Sequence, residues 1–298
     1  MVRQYKIHTN LDGTDDKVWD VTNGKVRFYQ PSNLGLQSTN NIWQSNGIGV
    51  MGTRSITQPQ IEFKLETFGE SLEENYRLMK DFINDILNKK FVTLEYQTEI
   101  FQVYADLALA DVTKTEGYGK NGTFSEKITF DIITKWYTYE NLTFDMIENG
   151  KVIAGKSKIY GGTAPGSYKY VEGISYTYYG ETNIERLSRW DIKDEIFSFM
   201  GILYPQLPKT PTGVRFLDDI GNEYTAIVFK TEELQDYILI NTDVNDETYQ
   251  GWKGTTALNL FPVMDFERYR TRIIEKGQME LINLSKAEFK IKRKADFV

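Results

Sequence analysis

Apolar and polar residues alternate with a period of two along much of the chain. Ile61, Phe63 and Leu65 alternate with charged residues, and the same alternation runs through residues 101–107 and 128–132. Successive side chains of a strand point to opposite faces of a sheet. The pattern therefore predicts antiparallel strands with one buried and one solvated face.

One segment has the period of an α-helix. Between residues 72 and 90, apolar side chains recur at spacings of three and four, which predicts a single buried stripe. The stripe consists of Leu72, Tyr76, Met79, Ile83 and Ile86. Ser71 and Glu74 predict a capping box at its start, and Lys89 and Lys90 would face the negative end of the helix dipole. A lone helix among strands predicts an α+β unit over residues 1 to about 140.

The stretch from residue 30 to residue 58 has a different composition. It is mainly Asn, Gln, Ser, Thr and Gly, with a few large apolar residues that include Trp43, Ile48 and Met51. In a compact domain, a structureless connection longer than ~12–15 residues is usually functional or disordered, because its backbone polar groups need partners. Two interpretations stay open: an interface arm covered by a neighbouring subunit, anchored by Trp43 or Met51, or a floppy loop.

The second half begins with a segment rich in glycine and tyrosine, residues 155–180. Glycine permits turns and tyrosine favours strands, so the tyrosines either present a contact surface or line the rim of a sandwich core. Residues 184–203 are predicted to include a short helix that begins at Asn183 and ends before Pro205. Strand patterns return after Pro211, so this half predicts a β-sandwich with an insertion.

Composition excludes several kinds of chemistry. The 298 residues carry 35 Lys and Arg against 42 Asp and Glu, a net charge of −7, with no cysteine and one histidine. The acidic balance argues against a nucleic-acid partner. The lack of cysteine excludes disulfides, thiolate metal sites and a cysteine nucleophile. His8 is interpreted as solvated.

No uncharged apolar run approaches ~18 residues, so we expect no membrane partner, no secretory signal and folding in a cytoplasm.

Two glycine motifs match nucleotide-binding patterns by letters alone. Residues 150–157 fit a P-loop, but the glycine-rich residues after them cannot open the helix that would bind phosphate. Residues 47–52 read G-x-G-x-x-G, yet no strand pattern precedes them. Acidic clusters at residues 12–16 and 243–247 are interpreted as solvated turns instead of calcium sites. We therefore predict no cofactor, no metal and no catalytic residue.

Several segments, in their order along the chain, resemble one family. They are the polar stretch before residues 60–65, the block 127–131 that leads to Trp136, and the later strands at 237–241 and 289–292. The chain resembles the distal tail proteins (Dit) of siphophages, and most of all the members from lactococcal siphophages. The resemblance covers essentially the whole chain and rests on strand patterns and their order.

The resemblance implies a mainly β protein with one long helix that serves as the hub of a tail-tip baseplate in the virion. Residues 1–140 would form an α+β hub domain, and six copies would make a ring between the tail tube protein and the tail-associated protein. The stretch 30–58 would be a belt that embraces the adjacent subunit through Trp43, Ile48 and Met51.

The resemblance also implies a second domain, residues 141–298, with a galectin-like β-sandwich. An arm-and-hand insertion at about residues 155–208 would anchor the receptor-binding protein. The implied contacts are Tyr168, Tyr170, Tyr176, Tyr178, Tyr179, Trp190, Phe197 and Phe199. Galectins hold sugar with a histidine, and this half has none, so that route to sugar binding does not carry over.

Three classes of function are compared. The first hypothesis is a structural hub that is not an enzyme. The alternative is a carbohydrate-binding tail module that contacts the host cell wall. A cell-wall hydrolase ranks last, because one histidine, no cysteine and no distinguishable carboxylate pair leave little for catalysis.

Overall fold

The chain forms two compact units, each with its own core. The computed structural model describes residues 3–35, 37–57, 60–114, 125–144, 147–148, 151–152 and 189–295. The first unit is Met1–Thr138 with Ala295–Val298, and the second is Tyr139–Lys294. Both consist mostly of antiparallel strands, and the described residues contain one α-helix. The predicted fold class, mainly β with one long helix, is confirmed.

The first unit has one long antiparallel sheet and a separate hairpin. Its elements are β1 (Gln4–His8), β2 (Val18–Asp20), β3 (Val26–Ser32), β4 (Gln37–Ser45), β5 (Ile48–Thr57), β6 (Ile61–Thr67), α1 (Leu72–Leu87), β7 (Val92–Gln97), β8 (Gln102–Thr113) and β9 (Ser125–Ile132). Seven strands pair in the order β2-β1-β7-β8-β9-β6-β3. The predicted alternation is confirmed in β6, where Ile61, Phe63 and Leu65 are each no more than 1% exposed.

Helix α1 packs onto the sheet through aromatic contacts. The ring centroid of Phe82 lies 5.8 Å from that of Phe28 and 5.2 Å from that of Trp19, both edge to face. Phe28 stacks in turn on Phe63 at 4.6 Å. Full burial of one such side chain stabilises the fold by about 1.5–3 kcal/mol, so this cluster fixes the helix against β3 and β6.

The ends of α1 differ from their prediction in detail. The Ser71 hydroxyl accepts a hydrogen bond from the Glu74 amide at 3.1 Å, as a capping box requires. The Glu74 carboxylate, however, accepts from the Glu70 amide at 2.7 Å. The helix ends at Leu87. Lys89 therefore lies outside it, where its ammonium group is 2.9 Å from the Asp15 carboxylate.

The buried stripe of α1 was predicted only in part. Asn75, Phe82 and Ile86 are the buried residues of the helix. Leu72 and Tyr76, which the periodicity placed in the buried stripe, are 57% and 63% exposed. One side of the apolar face of α1 therefore remains at the surface.

The second unit is a two-sheet sandwich. Its strands are β10 (Tyr137–Phe144, of which residues 139–144 belong to this unit), β11 (Ile147–Glu148), β12 (Lys151–Val152), β13 (Arg189–Ile192), β14 (Ile196–Pro205), β15 (Thr212–Leu217), β16 (Glu223–Phe229), β17 (Tyr237–Asn241), β18 (Thr248–Lys253), β19 (Thr256–Asn259), β20 (Gly277–Ile282) and β21 (Leu284–Lys294). One sheet has the order β19-β18-β17-β14-β21-β10 and the other β13-β20-β15-β16, while β11 and β12 form a small hairpin. Phe199 and Phe289 from the first sheet share one core with Phe216 from the second, so the two sheets pack face to face.

The helix predicted within residues 184–203 is wrong for the part of that range that the structure describes. The described part of that range forms β13 and most of β14. β14 lies between β17 and β21 in the centre of its sheet, and its aromatic and branched side chains favour that environment. The C-terminal limit predicted for the insertion, about residue 208, is also wrong, because β13 and β14 belong to the sandwich. Residues 153–188 lie outside the described residues.

His8 is buried, so its predicted solvation is wrong. It is 8% exposed, with Nδ1 2.7 Å from the Asp16 carboxylate and Nε2 2.9 Å from the Glu95 carboxylate. The second oxygen of Glu95 lies 2.8 Å from Lys6 Nζ. The antiparallel pairing of β1 with β7 produces this cluster, because it sets Lys6 opposite Glu95 and His8 opposite Thr93.

The cluster predicts an acid-dependent loss of stability. Burial alone would raise the pKa of Glu95, but Lys6 and His8 outweigh burial and hold that pKa below the ordinary value of 4.5. A carboxyl group with a lowered pKa in the folded state stabilises the fold above its unfolded-state pKa. That contribution is lost as pH falls through the folded-state pKa. We expect Glu95→Gln to flatten the decline of the first unit's unfolding free energy below about pH 4.5, as urea titrations would measure.

The control for this experiment is Glu73→Gln, which changes an exposed carboxylate of α1. It should leave the acid profile of the wild-type protein unchanged. An identical acid profile for Glu95→Gln and the wild-type protein would contradict the stabilising role of the cluster.

Candidate functional site

Strands β4 and β5 form a β-hairpin that pairs with no other described strand. The stretch was predicted to be structureless, and that prediction is wrong. Asn46 and Gly47 form its turn with φ values of 52° and 80°. Two successive residues with positive φ are typical of a type I′ turn, whose twist matches that of the flanking strands. The motif at residues 47–52 is therefore a hairpin turn and the start of β5, not a strand-to-helix phosphate loop.

Both faces of the hairpin carry large apolar side chains. Trp43 pairs with Val50 and shares its face with Ile48, while Ile42 pairs with Met51 on the opposite face. Glycines make room for two of these side chains. A Cβ on Gly52 would lie 3.3 Å from the Trp43 indole nitrogen, and a Cβ on Gly49 would lie 3.1 Å from Ile42.

These side chains are exposed to an unusual degree for their size. The exposed fractions are Ile42 54%, Trp43 68%, Ile48 69%, Val50 62% and Met51 50%. Contiguous exposed apolar surface of this kind marks interaction sites in soluble proteins. A two-stranded hairpin alone is also only marginally stable in water. The hairpin therefore has the properties of a segment that another surface covers.

The polar residues of the hairpin are suited to burial. Between residues 37 and 57 the only charged side chain is Arg54, whose Nε donates to the Asn40 side-chain oxygen at 2.9 Å. Uncharged amides and hydroxyls cost far less to desolvate than charged groups, provided they find hydrogen-bond partners. A protein surface can therefore cover the hairpin without removing more than one charged side chain, Arg54, from water.

The second unit has a groove on its six-stranded sheet. The groove encloses about 510 Å³ and is lined by residues of β10, β14, β17, β18 and β21. Its aliphatic lining includes Met200, Ile202 and Leu239. Polar lining residues include Asn141, Asn241 and Glu288. An apolar surface with a few polar groups is the usual composition of a ligand site.

The other chemical candidates from the sequence are structural where they are described. Across the described ranges, no group of three or more His, Cys, Asp and Glu side chains is placed to hold a metal ion. Asp243, predicted to lie in a solvated turn, is 6% exposed and is 2.8 Å from Lys292 Nζ. Trp252 stacks on Tyr237 at 6.0 Å. Of the P-loop match, only Lys151 and Val152 are described, and they form β12. No helix in the described ranges is long and apolar enough to cross a membrane.

Comparison with known proteins identifies the family. The family model for the distal tail protein N-terminal domain matches residues 4–133, and the model for the Dit C-terminal domain matches residues 135–298. The chain belongs to the distal tail protein (Dit) family. The family predicted from the sequence is confirmed. As a Dit protein, it is a structural component of the bacteriophage tail tip.

Individual Dit relatives agree with this assignment. The chain is 94% identical to the distal tail protein of Lactococcus phage p2 and 93% identical to that of Lactococcus phage SK1. Each alignment covers the full length of both sequences. Among solved structures, it matches a chain of the phage p2 baseplate in its activated conformation with calcium at 94% identity. The TM-score is 0.79, and all of both chains is covered.

The predicted belt residues of this Dit chain all lie on the hairpin. Trp43 and Ile48 share one face, and Met51 lies on the other. Ile42 and Val50 were not among the predicted belt residues, yet they are exposed to a similar degree. The Asn46-Gly47 pair between two stretches with apolar residues was the signal for a hairpin, and the register that follows from it places Val50 beside Trp43.

The predicted receptor-binding contacts of the Dit chain have different outcomes. Tyr168, Tyr170, Tyr176, Tyr178 and Tyr179 lie outside the described residues. Trp190 is partly buried against the sandwich core, and Phe197 is half-buried on β14. Phe199 is 3% exposed, with its ring 5.9 Å from Phe216 and 5.8 Å from Phe289. Phe199 is therefore a core residue, and its prediction as a contact is wrong because its ring packs between the two sheets.

Proposed function

We propose that this Dit protein is the hub of a tail-tip baseplate, with six copies closed into a ring through their first units. In this proposal the hairpin β4–β5 is the belt and embraces the adjacent copy. The ring connects the tail tube protein to the tail-associated protein, and the hub acts without catalysis. Its family, and the phage p2 baseplate chain that it matches, support a role in the baseplate.

The observation that carries the ring proposal is the exposure of the hairpin. A ring is built from heterologous interfaces, in which two different patches meet and the rotation closes. A hairpin that extends its apolar side chains away from its own core can provide one of those patches. Stable interfaces bury about 1,200–2,000 Å² in total, and an exposed ten-residue strand with its partner can contribute a large share.

Native mass spectrometry of the purified full-length protein tests the ring directly. At about 10 μM protein, well above the Kd of a stable interface, we expect a closed hexamer. A spectrum that contains only monomer at this concentration would contradict the proposal.

We further propose that the tyrosine-rich insertion anchors the receptor-binding protein. We place the insertion before β13, because β13 and β14 pair within the sandwich. We expect replacement of residues 158–186 by a short Gly-Ser linker to abolish capture of the receptor-binding protein, measured by pull-down, while the ring and the sandwich remain folded. The larger deletion of residues 161–205 removes β13 and β14, and it should unfold the sandwich. Capture by the linker variant at the wild-type level would contradict this role.

The groove favours a second candidate function, binding of a cell-wall carbohydrate. Asn141 and Glu288 offer an amide and a carboxylate group that can hydrogen-bond sugar hydroxyls beside an aliphatic lining. Purified host cell walls are the probe. We expect sedimentation of the full-length protein with the walls, and loss of sedimentation in an Asn141→Ala, Glu288→Ala variant. The absence of sedimentation of the wild-type protein would remove this candidate.

A further inference from the structure

Helix α1 has an exposed apolar stripe beside its buried face. Leu72, Tyr76, Ile83 and Leu87 fall within about 60° of arc at 100° per residue. Leu72, Tyr76 and Leu87 are 57%, 63% and 62% exposed, and Ile83 is partly buried against the core. The chain's own hairpin does not cover this stripe. The first unit thus exposes two separate apolar surfaces, the hairpin and the α1 stripe.

A ring requires this kind of pairing between unlike surfaces. Each copy in a heterologous ring presents one patch to the neighbour on one side and a different patch to the neighbour on the other. The two patches must also agree in size. The stripe extends about 22 Å along the axis from Leu72 to Leu87, and the ten-residue strand β5 spans about 33 Å. One hairpin is therefore long enough to lie along the stripe, and its apolar residues, which lie near the turn, would cover part of it.

The charges of the two surfaces are also compatible. Arg54 is the single charged residue of the hairpin. Helix α1 carries four carboxylates, Glu73, Glu74, Asp81 and Asp85, against two cations, Arg77 and Lys80. Glu74 and Asp85 pair with Lys25 and Lys17 of the same chain, so the helix surface carries no excess positive charge that would repel Arg54. The stripe itself consists of apolar side chains and one tyrosine, so docking of apolar residues on it buries no charge at its centre.

We propose that the hairpin of one copy docks on the α1 stripe of the adjacent copy, through the face that carries Trp43, Ile48 and Val50. This assignment rests on the proposed ring and names the surface that receives the belt. The face with Trp43 has three large apolar residues, whereas the opposite face has Ile42 and Met51. Trp43 and Val50 form a cross-strand pair, so they reach the same partner surface together.

Disulfide trapping tests the proposal, because the chain contains no cysteine of its own. Val50→Cys is made in one full-length chain, and Leu72→Cys, Tyr76→Cys or Leu87→Cys in a second chain with an affinity tag. The two chains are co-expressed and oxidised. A disulfide forms only where the two Cβ atoms approach within about 4.5 Å, so we expect a mixed disulfide with at least one helix variant. Valine and cysteine are similar in size, and the ring should persist in the Val50→Cys chain.

Two matched controls separate docking from random collision. Met51 is the neighbour of Val50 and lies on the opposite face of the hairpin. Met51→Cys should therefore form no mixed disulfide with the helix variants. Ile100→Cys replaces a residue that is 77% exposed in the turn between β7 and β8, at the end of β7 away from α1. It should form no mixed disulfide with Val50→Cys. Equal trapping by Met51→Cys, or trapping at residue 100 in place of α1, would overturn the proposal.

Native mass spectra of the reduced variants distinguish this proposal from the ring itself. A hexamer without any disulfide between hairpin and helix would overturn the docking assignment and leave the ring proposal intact. Monomers without disulfides would overturn both. A mixed disulfide with α1 and a hexamer together would support both.

Discussion

Replacement of Trp43 by alanine is expected to weaken ring assembly by about 2 kcal/mol or more at each interface. Trp43 is the largest side chain of the hairpin and is 68% exposed in the single chain. Buried aromatic anchors contribute most of the binding energy in many interfaces, and tryptophan is among the most frequent of them. A loss of 2 kcal/mol shifts a dissociation constant about 30-fold, which dilution followed by native mass spectrometry can measure.

Trp43→Ala should weaken assembly without affecting folding. At a dilution at which both proteins are monomeric, the thermal midpoint of the first unit should stay unchanged, because Trp43 lies outside its core. Gln44→Ala is the matched control: it truncates the adjacent exposed residue of β4 and should leave the assembly midpoint within the error of the measurement. An unchanged assembly midpoint for Trp43→Ala would show that Trp43 anchors no interface.

Replacement of Phe199 by alanine should destabilise the sandwich by about 3–5 kcal/mol. Phe199 lies on the central strand β14, and its ring contacts the rings of Phe216 and Phe289. Removing the ring loses its burial and leaves a cavity that a two-sheet core cannot fully close. Urea denaturation with tryptophan fluorescence would measure this change, because Trp190 and Trp252 lie in the same unit.

Phe197→Ala is the control for Phe199→Ala. Phe197 is half-buried and lies two residues away on the same strand. We expect its truncation to cost about 1 kcal/mol. If Phe199→Ala kept wild-type stability but lost capture of the receptor-binding protein, Phe199 would be a contact residue after all, and its placement in the core would be wrong.

Period-two alternation and one helical period were enough to predict the fold class. They located β6, β9 and α1, because local hydrophobic periodicity directly reports the buried face of an element. The same periodicity could not locate the hairpin β4–β5, because both of its faces are exposed and its sequence shows no alternation between apolar and polar positions. Its turn, Asn46-Gly47, was the local signal that could have identified it.

Other features depend on contacts that are distant in sequence. His8 meets Glu95, 87 residues away, only because β1 pairs with β7. Residues 196–205 have a nearly continuous apolar run, which a buried helix and a central strand share. Their neighbours β17 and β21 decide between the two, and both lie far along the chain. Sequence periodicity could not determine these pairings.

A cryo-electron microscopy map of the assembled full-length protein would test the ring and its belt most directly. We predict a closed six-fold ring in which the hairpin of each copy lies on the adjacent copy, with Trp43 buried against it. A map in which the hairpin folds back on its own subunit and touches no other copy would contradict this mode of assembly.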